Sequence, residues 1–406
     1  MAKRDLVISM DIGTSNVRVI VGEVNQDRTI NIIGVGTSPS KGLRKGVIVD
    51  LDKTVQSITE AVEEAERMVN VEINSVFLGV VGTHITLINN KGVVAVAGED
   101  KEITYEDVER VIQASRVIAM PPDREIIDII PRQFIVDGYD GIRDPVGMVG
   151  VRLEVDAMII TGAITSIRNL MRCVNRAELE IDGVVLNALA NGEVSLTDDQ
   201  KELGAALIDI GGGTTEISVF QQGGLKDLSV LPVGGDYITN DIAVGLRTTI
   251  EQAEAIKIDH GKALTSLVES EEEIEIKNVG GKEKNTVTEN IIASIIEPRV
   301  QEIIYLAREE LEKMGYLKAL PAGVVLTGGV SMMKGVAELT EEVLESSVQV
   351  AQPEYIGVKS PVYSTGVGMI HYVLKSHMLP TSKKETKLAV PQFFTRIKNW
   401  FFEIFE

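Results

Sequence analysis

Apolar residues at the start of the chain gather in short stretches that turn-forming residues separate. Residues 6–36 hold three of them, LVISMDIG, VRVIVGEV and TINIIGVGT, with GTSN and NQDR between them. Such a pattern predicts a meander of three strands. In residues 51–70, apolar side chains recur at helical spacing, and the following SVFLGVVG has the composition of a buried strand. The chain is therefore expected to open with three strands, a helix and a fourth strand.

The pattern changes in residues 84–163. Short strands such as GVVAVAG and REIIDIIPRQFIVDG surround one amphipathic helix near 104–118, which predicts a small inserted domain. Residues 165–176 favour a helix, and the strand IDGVVL follows. The polar segment TDDQKELG after it suits a surface connection.

The opening pattern returns near residue 205. AALIDIGGGTTEISVF repeats the order of LVISMDIGTSNVRVIV: an aspartate near the end of an apolar strand, a turn of small residues and a second strand. Asp209 lies 198 positions after Asp11, and this spacing indicates two homologous halves rather than a short-period solenoid. Coincidence is the alternative, because Asp-x-Gly turns between strands are common.

The second half continues with a regular order of elements. Residues 235–260 predict helix, 268–287 an acidic edge hairpin, and 288–314 one long helix. AGVVLTGG then has the composition of a buried strand that ends in a glycine turn, and MKGVAELTEEVLESS that of a helix. The polar, proline-bounded segment 380–391 is typical of a flexible linker.

Composition narrows the choice of function. The chain has 406 residues, 44% of them apolar, which is more than one hydrophobic core usually holds, so we expect at least two lobes. A net charge of −20 repels a phosphate backbone and argues against nucleic-acid binding. A single cysteine cannot form an internal disulfide. The first residues contain no apolar leader, and no apolar run reaches the roughly 18 residues of a membrane-spanning helix, so we expect a cytosolic chain.

The two glycine turns are candidate phosphate sites. A turn without bulky side chains can present several backbone N–H groups to phosphate oxygens, and two such turns could hold one polyphosphate between them. Neither a P-loop motif nor a dinucleotide fingerprint is present in the sequence. The candidate residues are Gly13, Thr14, Ser15 and Asn16 in the first turn, and Gly211, Gly212, Gly213, Thr214 and Thr215 in the second.

The aspartates that precede these turns are candidate metal-binding residues. Asp11 and Asp209 end strands that we expect to meet at one cleft, where a hydrated Mg²⁺ could bridge them to phosphate. Alternatively, each aspartate only caps its own turn. A third glycine turn, LTGGVS at 326–331, would let a base or ribose approach the backbone closely, although such turns also serve packing alone.

Together these motifs carry a family resemblance. DIGTSNVR, DIGGGTTE and LTGGVS, in this order, resemble the two phosphate motifs and the adenosine motif of actin, DnaK-type chaperones and sugar kinases. KGVIVDLDKTVQSI, VGGDYITNDIAVGL, AEAIKIDHG and IIEPRVQEI are similar to the FtsA family of actin-like bacterial cell division proteins, and this resemblance spans nearly the whole chain. It implies an α/β fold of the actin-like (ribonuclease H-like) class, with two lobes, duplicated β-sheet cores and a small domain inserted in the first lobe.

The resemblance and the hydrophobic pattern together suggest how the chain is divided. Each lobe would be assembled from two separate stretches of sequence, because a smaller domain interrupts it. The expected segments are 1–83 with 164–203 (first-lobe core), 84–163 (inserted small domain), 204–233 with 303–379 (second-lobe core), 234–302 (second-lobe small domain), 380–391 (linker) and 392–406 (amphipathic membrane-targeting helix).

The resemblance also implies a cofactor and site residues. ATP with Mg²⁺ is the implied ligand. Where the superfamily usually has a Glu or Gln that orients the attacking water, this chain has Asn187 in VVLNALAN. Asparagine cannot act as a base, so we expect at most slow hydrolysis, and ATP would act mainly as a ligand that closes the cleft and favours polymerisation. The implied catalytic residues are Asp11, Asp209 and Asn187, the implied residues at the adenosine end are Gly235, Glu254 and Lys257, and those beside the base are Gly328 and Gly329.

The C-terminal segment differs in composition from the rest of the chain. In QFFTRIKNWFFEIF, five large apolar residues recur at helical spacing, and residues 381–406 carry a net charge of +2 on a chain of −20. Fourteen helical residues reach only about 21 Å, short of the roughly 30 Å hydrocarbon core, so we expect a helix that lies along a membrane surface. Docking on its own domain or on a partner is the alternative. The predicted membrane-facing residues are Phe393, Ile397, Trp400, Phe401 and Ile404.

The FtsA resemblance implies the partners. They are the FtsZ C-terminal peptide, further copies of the chain in a filament, later division proteins, and the cytoplasmic side of the cell membrane at the division site. Arg299 in EPRVQE is our candidate for pairing with an acidic residue of the FtsZ peptide, with a packing or helix-surface role as the alternative. Two other functions of the same fold stay open: a small-metabolite kinase and a type IV pilus assembly protein.

Overall fold

A computed structural model describes residues 5–269, 273–277 and 284–376. The strands of this part of the chain are β1 (Asp5–Ile12), β2 (Asn16–Val24), β3 (Ile30–Pro39), β4 (Leu43–Arg44), β5 (Val47–Ile48), β6 (Ser75–Val80), β7 (Thr86–Ala95), β8 (Arg124–Val136), β9 (Tyr139–Ile142), β10 (Arg152–Ala163), β11 (Glu180–Leu186), β12 (Ala205–Ile210), β13 (Thr215–Gln221), β14 (Gly224–Leu231), β15 (Glu273–Lys277), β16 (Lys284–Thr288), β17 (Val324–Thr327) and β18 (Val348–Val350). The helices are α1 (Leu51–Val69), α2 (Tyr105–Ser115), α3 (Ile164–Arg176), α4 (Asn187–Ser195), α5 (Asp198–Leu203), α6 (Gly235–Leu246), α7 (Ile250–His260), α8 (Glu289–Lys313), α9 (Val336–Leu344) and α10 (Ser364–Lys375).

The chain divides into two compact units. The first consists of Met1–Thr83, Arg172–Ile181 and Val185–Tyr372. The second consists mainly of His84–Met171. Asp182–Val184 are also grouped with the second unit.

The first unit contains two five-stranded sheets with the same arrangement of strands. One has the order β3-β2-β1-β6-β11, and the other has the order β14-β13-β12-β17-β18. In each sheet the first three strands form an antiparallel meander, and the third strand pairs in parallel with the fourth. Asp11 faces Arg18 in the first sheet, as Asp209 faces Glu216 in the second. Since each residue of the second pair lies 198 positions after its counterpart, the predicted duplication of the sheet core is confirmed.

Helix α1 shows how local signals and packing combine in the first sheet. The N-cap Asp50 accepts a hydrogen bond from the backbone N–H of Lys53, which satisfies one of the free donors at the helix start. The buried face of the helix includes Ile58 and Ala61 and packs on β3. At Gly36 of β3, an added Cβ would lie 1.9 Å from the Ala61 carbonyl oxygen. Glycine is therefore required for the close approach of helix and sheet.

Most of the predicted elements of the second half are confirmed, with one break. The acidic hairpin is the β15–β16 pair, and the long helix is α8. AGVVLTGG forms β17, and the helix after it is α9. Residues 235–260, which the sequence predicts as helical throughout, form the two helices α6 and α7. The break occurs at Arg247, whose φ of 52° places it in the left-handed region.

The prediction of a surface connection for TDDQKELG is wrong, because this segment forms helix α5. Thr197 Oγ1 accepts from the Gln200 backbone N–H, and the Gln200 side chain accepts from the Thr197 backbone N–H. This reciprocal pair is a capping box, which stabilises a helix start. Helix α4, just before it, is likewise missing from the sequence prediction.

The second unit has its own sheet and core. Its four strands are antiparallel in the order β7-β10-β8-β9, and α2 packs against them. A capping box between Thr104 and Asp107 starts α2. Val111, Leu153 and Ile159 are among the buried core residues. The predicted arrangement of strands around one helix is confirmed, although the strands are longer than expected, with 13 residues in β8.

Candidate functional site

A cavity of about 580 Å³ lies in the first unit, beside the turns that follow β1, β12 and β17. This volume is in the usual range for small-molecule and cofactor sites, roughly 300–1,000 Å³. The predicted site residues that line it are Asp11, Gly13, Ser15, Asn16, Asn187, Asp209, Gly211, Gly212, Thr214, Gly235, Glu254, Lys257, Gly328 and Gly329.

The two glycine turns close in the same way. The backbone N–H of Gly13 donates to the Asn16 carbonyl at 3.0 Å, and that of Gly211 donates to the Thr214 carbonyl at 3.0 Å. The residues of the second bond lie 198 positions after those of the first. One local structure is therefore built twice on the wall of one cavity.

The two turns also touch each other. An added Cβ at Gly212 would lie 1.9 Å from Ser15 Oγ, and one at Gly213 would lie 2.5 Å from Thr14 Oγ1. Contacts this short leave no room for a side chain. The second turn is therefore bare backbone where it meets the first.

Three of the predicted phosphate-binding residues do not line the cavity. Thr215 is buried, and its hydroxyl donates to the Val233 carbonyl at 2.9 Å. Thr14 Oγ1 accepts from the Gly46 backbone N–H at 3.0 Å. Gly213 is buried against the Thr14 side chain. These residues hold the turns in place, and their types alone do not reveal this role.

Helix α4 gives one side-chain amide to each of the two aspartates. Asn187 Nδ2 donates to Asp11 Oδ1 at 3.3 Å, and Asn191 Nδ2 donates to Asp209 Oδ2 at 2.9 Å. The Thr365 hydroxyl donates to Asn191 Oδ1 at 3.0 Å, which orients that amide. The sequence prediction lacks Asn191, although Asn187 and Asn191 stand four residues apart and so share one helical face.

Two buried side-chain oxygens at the cavity have no hydrogen-bond partner among the described residues. They are Asn187 Oδ1 and Glu216 Oε2. Buried polar atoms in proteins are normally paired. Both oxygens are closed off from solvent, and Asn187 Oδ1 faces Gly79, where an added Cβ would lie 2.6 Å from it.

Glu216 is an acidic cavity residue that the sequence prediction lacks. Only 4% of the residue is exposed, and it stands opposite Asp209 in the sheet. Burial raises the pKa of Glu216 well above its ordinary value, and the charges of Asp209 and Asp11 raise it further. The duplication could have indicated Glu216 as a cavity residue. Its counterpart in the first half is Arg18, and both residues line the cavity.

The two aspartates are poorly solvated. Burial raises the pKa of Asp209 to about 6, and the charge of Asp11 adds to this shift. Burial also raises the pKa of Asp11, while the charge of Arg18 lowers it. Among residues 5–269, 273–277 and 284–376, no group of three or more His, Cys, Asp or Glu side chains is placed to hold a metal ion. Two carboxylates with bound water match the way proteins hold Mg²⁺.

The raised pKa of Asp209 makes the stability of the ligand-free protein depend on pH. The carboxyl keeps its proton in the folded state up to a pH of about 6, against an ordinary pKa of 3.8, so the free energy of unfolding falls as the pH rises through this window. We expect Asp209→Asn to remove on the order of 2 kcal/mol of that fall, measured by urea unfolding from about pH 4 to 7.5.

Asp128→Asn is the matched control for this experiment. Burial raises the pKa of Asp128 to about 6 as well, but Asp128 belongs to the second unit. Asp128→Asn should remove a similar part of the fall, because the pKa of its carboxyl is raised to the same value. If the free energy of unfolding of Asp209→Asn depended on pH as that of the wild type does, the raised pKa of Asp209 would be contradicted.

Lys257 connects the predicted adenosine-end residues. Its Nζ donates to Glu254 Oε2 at 2.6 Å and to Thr239 Oγ1 at 2.8 Å. It also lies 3.3 Å from the Gly235 carbonyl oxygen. The Gly235 backbone N–H in turn donates to the Gly211 carbonyl at 2.9 Å. This wall of the cavity is therefore tied directly to the second glycine turn.

Gly328 and Gly329 differ in what their positions require. Gly328 has a φ of +85°, and an added Cβ there would lie 2.3 Å from Asp209 Oδ1. Gly329 has an ordinary φ of −65°, and an added Cβ would lie 3.8 Å from Val362. The fold therefore requires glycine at the first position only.

Arg299 lies on α8 and is not among the residues that line the cavity. Its Nε donates to Asp241 Oδ2 at 2.5 Å, its Nη2 donates to Asp241 Oδ1 at 3.3 Å, and its Nη1 donates to Glu302. The hydrogen bond with Asp241 raises the pKa of Arg299. The side chain is 25% exposed. A carboxylate from a partner would therefore compete with two internal ones.

The predicted linker and tail helix lie outside the described residues, so they stay predictions. In the part of the chain that the structure describes, no helix combines the length and the apolar composition needed to cross a membrane. The predicted membrane-facing residues outside the described ranges are Phe393, Ile397, Trp400, Phe401 and Ile404.

Comparison with known proteins identifies the family. The model of the family "Cell division protein FtsA" matches residues 206–368, and that of the "SHS2 domain inserted in FTSA" matches residues 82–161. The cell division protein FtsA of Bacillus subtilis (strain 168) is 50% identical over 376 residues, which cover 93% of this chain and 85% of that protein. The chain belongs to the FtsA family of cell division proteins. FtsA of Escherichia coli (strain K12) is 36% identical, with 98% of this chain and 97% of that protein covered.

Similar solved structures show the fold of the chain. A chain of the PilM–PilN type IV pilus biogenesis complex has a TM-score of 0.65 at 17% identity, with 92% of this chain and 99% of that chain covered. MreB5 of Spiroplasma citri bound to ADP has a TM-score of 0.53 at 14% identity, with coverage of 92% and 97%. At such low identity these likenesses show the fold alone. With the SHS2 match, they confirm the predicted actin-like fold and its inserted domain, and the FtsA resemblance is confirmed by the curated relatives.

Proposed function

We propose that this FtsA-family chain is an ATP-binding, polymerising adaptor that anchors FtsZ filaments to the cytoplasmic membrane during cell division. The observation that carries the proposal is the pair of matched glycine turns, each preceded by an aspartate, on the wall of one cavity. The adaptor's main work is attachment. ATP acts chiefly as a ligand that sets the conformation of the chain.

The cavity suits ATP with Mg²⁺. Bare backbone at the glycine turns can donate N–H groups to phosphate oxygens, and Asp11 and Asp209 are the residues that would hold a hydrated Mg²⁺. Mg²⁺ held there would neutralise part of the triphosphate charge. Solved MreB5 structures of this fold hold ADP and AMPPNP, which supports a nucleotide as the ligand. Adenosine would lie against Gly235, Glu254, Lys257, Gly328 and Gly329.

We expect ATP hydrolysis to be slow. Asn187 has no basic group, and its amide donates to Asp11. Glu216 carries a buried oxygen without a hydrogen-bond partner, but only 4% of the residue is exposed, so an attacking water would have little access to it. The bound nucleotide would therefore persist long enough to favour polymerisation.

The C-terminal segment is the proposed membrane anchor. It combines five large apolar residues at helical spacing with a local excess of positive charge. Each such side chain contributes about 1.5–3 kcal/mol when fully buried, and less at a shallow interface. One copy would bind reversibly, and a filament that presents many copies would bind strongly. The chain would then be a peripheral protein on the cytoplasmic face of the membrane at the division site.

The inserted domain is the proposed surface for assembly. It has its own sheet and its own buried core, so it can present a stable face to partners. We assign to residues 84–163 contacts with neighbouring copies in the filament and with later division proteins. The match to the SHS2 domain of this family supports that assignment.

Arg299 is the proposed contact for the FtsZ C-terminal peptide, and its substitution tests the adaptor role. Arg299→Ala should weaken peptide binding at least tenfold, because the loss of one member of a hydrogen-bonded charge pair costs about 2 kcal/mol or more. Fluorescence anisotropy of a labelled FtsZ C-terminal peptide measures this change.

Arg308→Ala provides the matched control on the same helix. Arg308 donates to the Val343 carbonyl and lies near Glu345, so its loss removes a similar charge elsewhere on α8. This variant should bind the peptide like the wild type. Equal binding by Arg299→Ala and wild type would contradict the role of Arg299. A wild-type chain that does not bind the peptide would contradict FtsZ recognition itself.

A further inference from the structure

A small hairpin in the first half of the chain has an unusual tip. Strands β4 and β5 pair around Lys45 and Gly46, whose φ angles are 51° and 72°. Positive φ at both central residues is the geometry of a type I′ hairpin turn, which glycine adopts readily and lysine does not. The fold thus holds a lysine, rather than a small residue, at this strained position.

The hairpin tip contacts both glycine turns of the cavity. The Gly46 backbone N–H donates to Thr14 Oγ1 of the first turn at 3.0 Å. An added Cβ at Gly46 would lie 3.1 Å from Thr214 Cγ2 of the second turn. The place of the tip therefore depends on how the two turns are held together.

Lys45 extends from this tip to Tyr237 on α6. Its Nζ lies 5.0 Å from the centre of the Tyr237 ring, within the range of a cation–π contact. Arg299 also lies over this ring, with its Cζ 5.6 Å from the centre. Tyr237 is thus shared by two cations, one from beside the nucleotide cavity and one from the proposed FtsZ contact.

We propose that Tyr237 couples the two sites, because Lys45 and Arg299 share its ring. Like charges over one ring repel each other. When Lys45 lies over the Tyr237 ring, it therefore weakens the cation–π contact between that ring and Arg299. A nucleotide that bridges the two turns keeps the hairpin tip, and with it Lys45, in place. Arg299 is then more readily released to an acidic peptide. The inference rests on the proposed nucleotide and FtsZ-binding roles.

The coupling is reciprocal. A peptide carboxylate that draws Arg299 away from the ring leaves Lys45 as the remaining cation over Tyr237. The contact between Lys45 and Tyr237 then becomes stronger. By linkage, the peptide then raises the affinity for nucleotide by the same factor as the nucleotide raises the affinity for peptide. The adaptor would therefore bind FtsZ best in its nucleotide-bound, polymerising form.

The test compares peptide binding with and without nucleotide. The dissociation constant of the full-length chain for the FtsZ C-terminal peptide is measured in the presence and absence of AMPPNP with Mg²⁺. In the wild type, we expect nucleotide to tighten binding about two- to fivefold, the change that one exposed cation–π contact supports. The ratio of the dissociation constants without and with nucleotide should fall to one in Lys45→Gln and in Tyr237→Leu. Lys45→Arg and Tyr237→Phe are the matched controls and should keep the wild-type ratio, since they retain the charge and the ring.

The outcomes separate the coupling from the proposed function. A ratio of one in the wild type, or a ratio in Lys45→Gln equal to that of the wild type, overturns the coupling. Neither result contradicts nucleotide binding or peptide binding. A wild-type chain that binds neither AMPPNP nor the peptide overturns the proposed function, and the coupling with it. Tyr237 packs against the core of the second half, so Tyr237→Leu can disturb folding. Lys45 is exposed, and Lys45→Gln alone keeps the test decisive.

Discussion

Deletion of residues 391–406 should abolish co-sedimentation of the chain with liposomes. The segment contains the five apolar residues predicted to face the membrane and carries a local excess of positive charge. Membrane affinity would therefore depend on this tail. Pelleting with anionic phospholipid vesicles, with and without ATP and Mg²⁺, measures the effect. In the intact chain, ATP should increase pelleting, because a filament presents many tails at once.

Point substitutions in the tail provide the controls for the deletion. Trp400→Ala together with Phe401→Ala should weaken binding at least tenfold, since each large apolar side chain contributes up to about 1.5–3 kcal/mol. Thr395→Ala changes a residue on the opposite face of the predicted helix and should have no effect. A truncated chain that pellets as well as the intact one would contradict the proposed anchor.

Gly328→Ala should destabilise the first unit by about 2–5 kcal/mol and abolish ATP binding. Alanine in the left-handed region costs about 1–2 kcal/mol, and the overlap of its Cβ with Asp209 Oδ1, at 2.3 Å, adds about 1–3 kcal/mol. Relief of the overlap would push Asp209 away from the Asn191 amide, which now lies at 2.9 Å. Urea unfolding and ATP titration measure the two effects.

Gly329→Ala is the matched control for this substitution. It adds the same methyl group one residue later, at an ordinary φ and 3.8 Å from its nearest neighbour. Its stability should stay within about 0.5 kcal/mol of the wild type. Equal stability of the two variants would show that the backbone at Gly328 is not constrained as described.

The duplicated sheet core is readable in the sequence because its signals are local. Apolar strands, a glycine turn and an aspartate at a fixed place recur in the two halves, and strand and turn preferences act over a few residues. The matching strand orders confirm that prediction. The capping box of α5 is an equally local signal. The polar composition of TDDQKELG nevertheless favours a surface connection, so the sequence prediction lacks this helix.

The roles of single residues at the cavity are harder to predict from the sequence. Thr14 and Thr215 have the right type for phosphate binding, yet their hydroxyls bond to Gly46 and Val233. The direction of a hydroxyl depends on segments that are distant in the sequence, and no local pattern reports it. Glu216 is also absent from the prediction, because its burial is a property of the folded structure and not of the sequence around it.

The central claim is that one nucleotide lies between the two glycine turns. A crystal structure of the chain grown with AMPPNP and Mg²⁺ tests it most directly. We predict phosphate density beside the backbone of Gly13 and Gly211, with Mg²⁺ held through water by Asp11 and Asp209. Nucleotide density elsewhere on the chain, or an empty cavity at saturating AMPPNP, would contradict the claim.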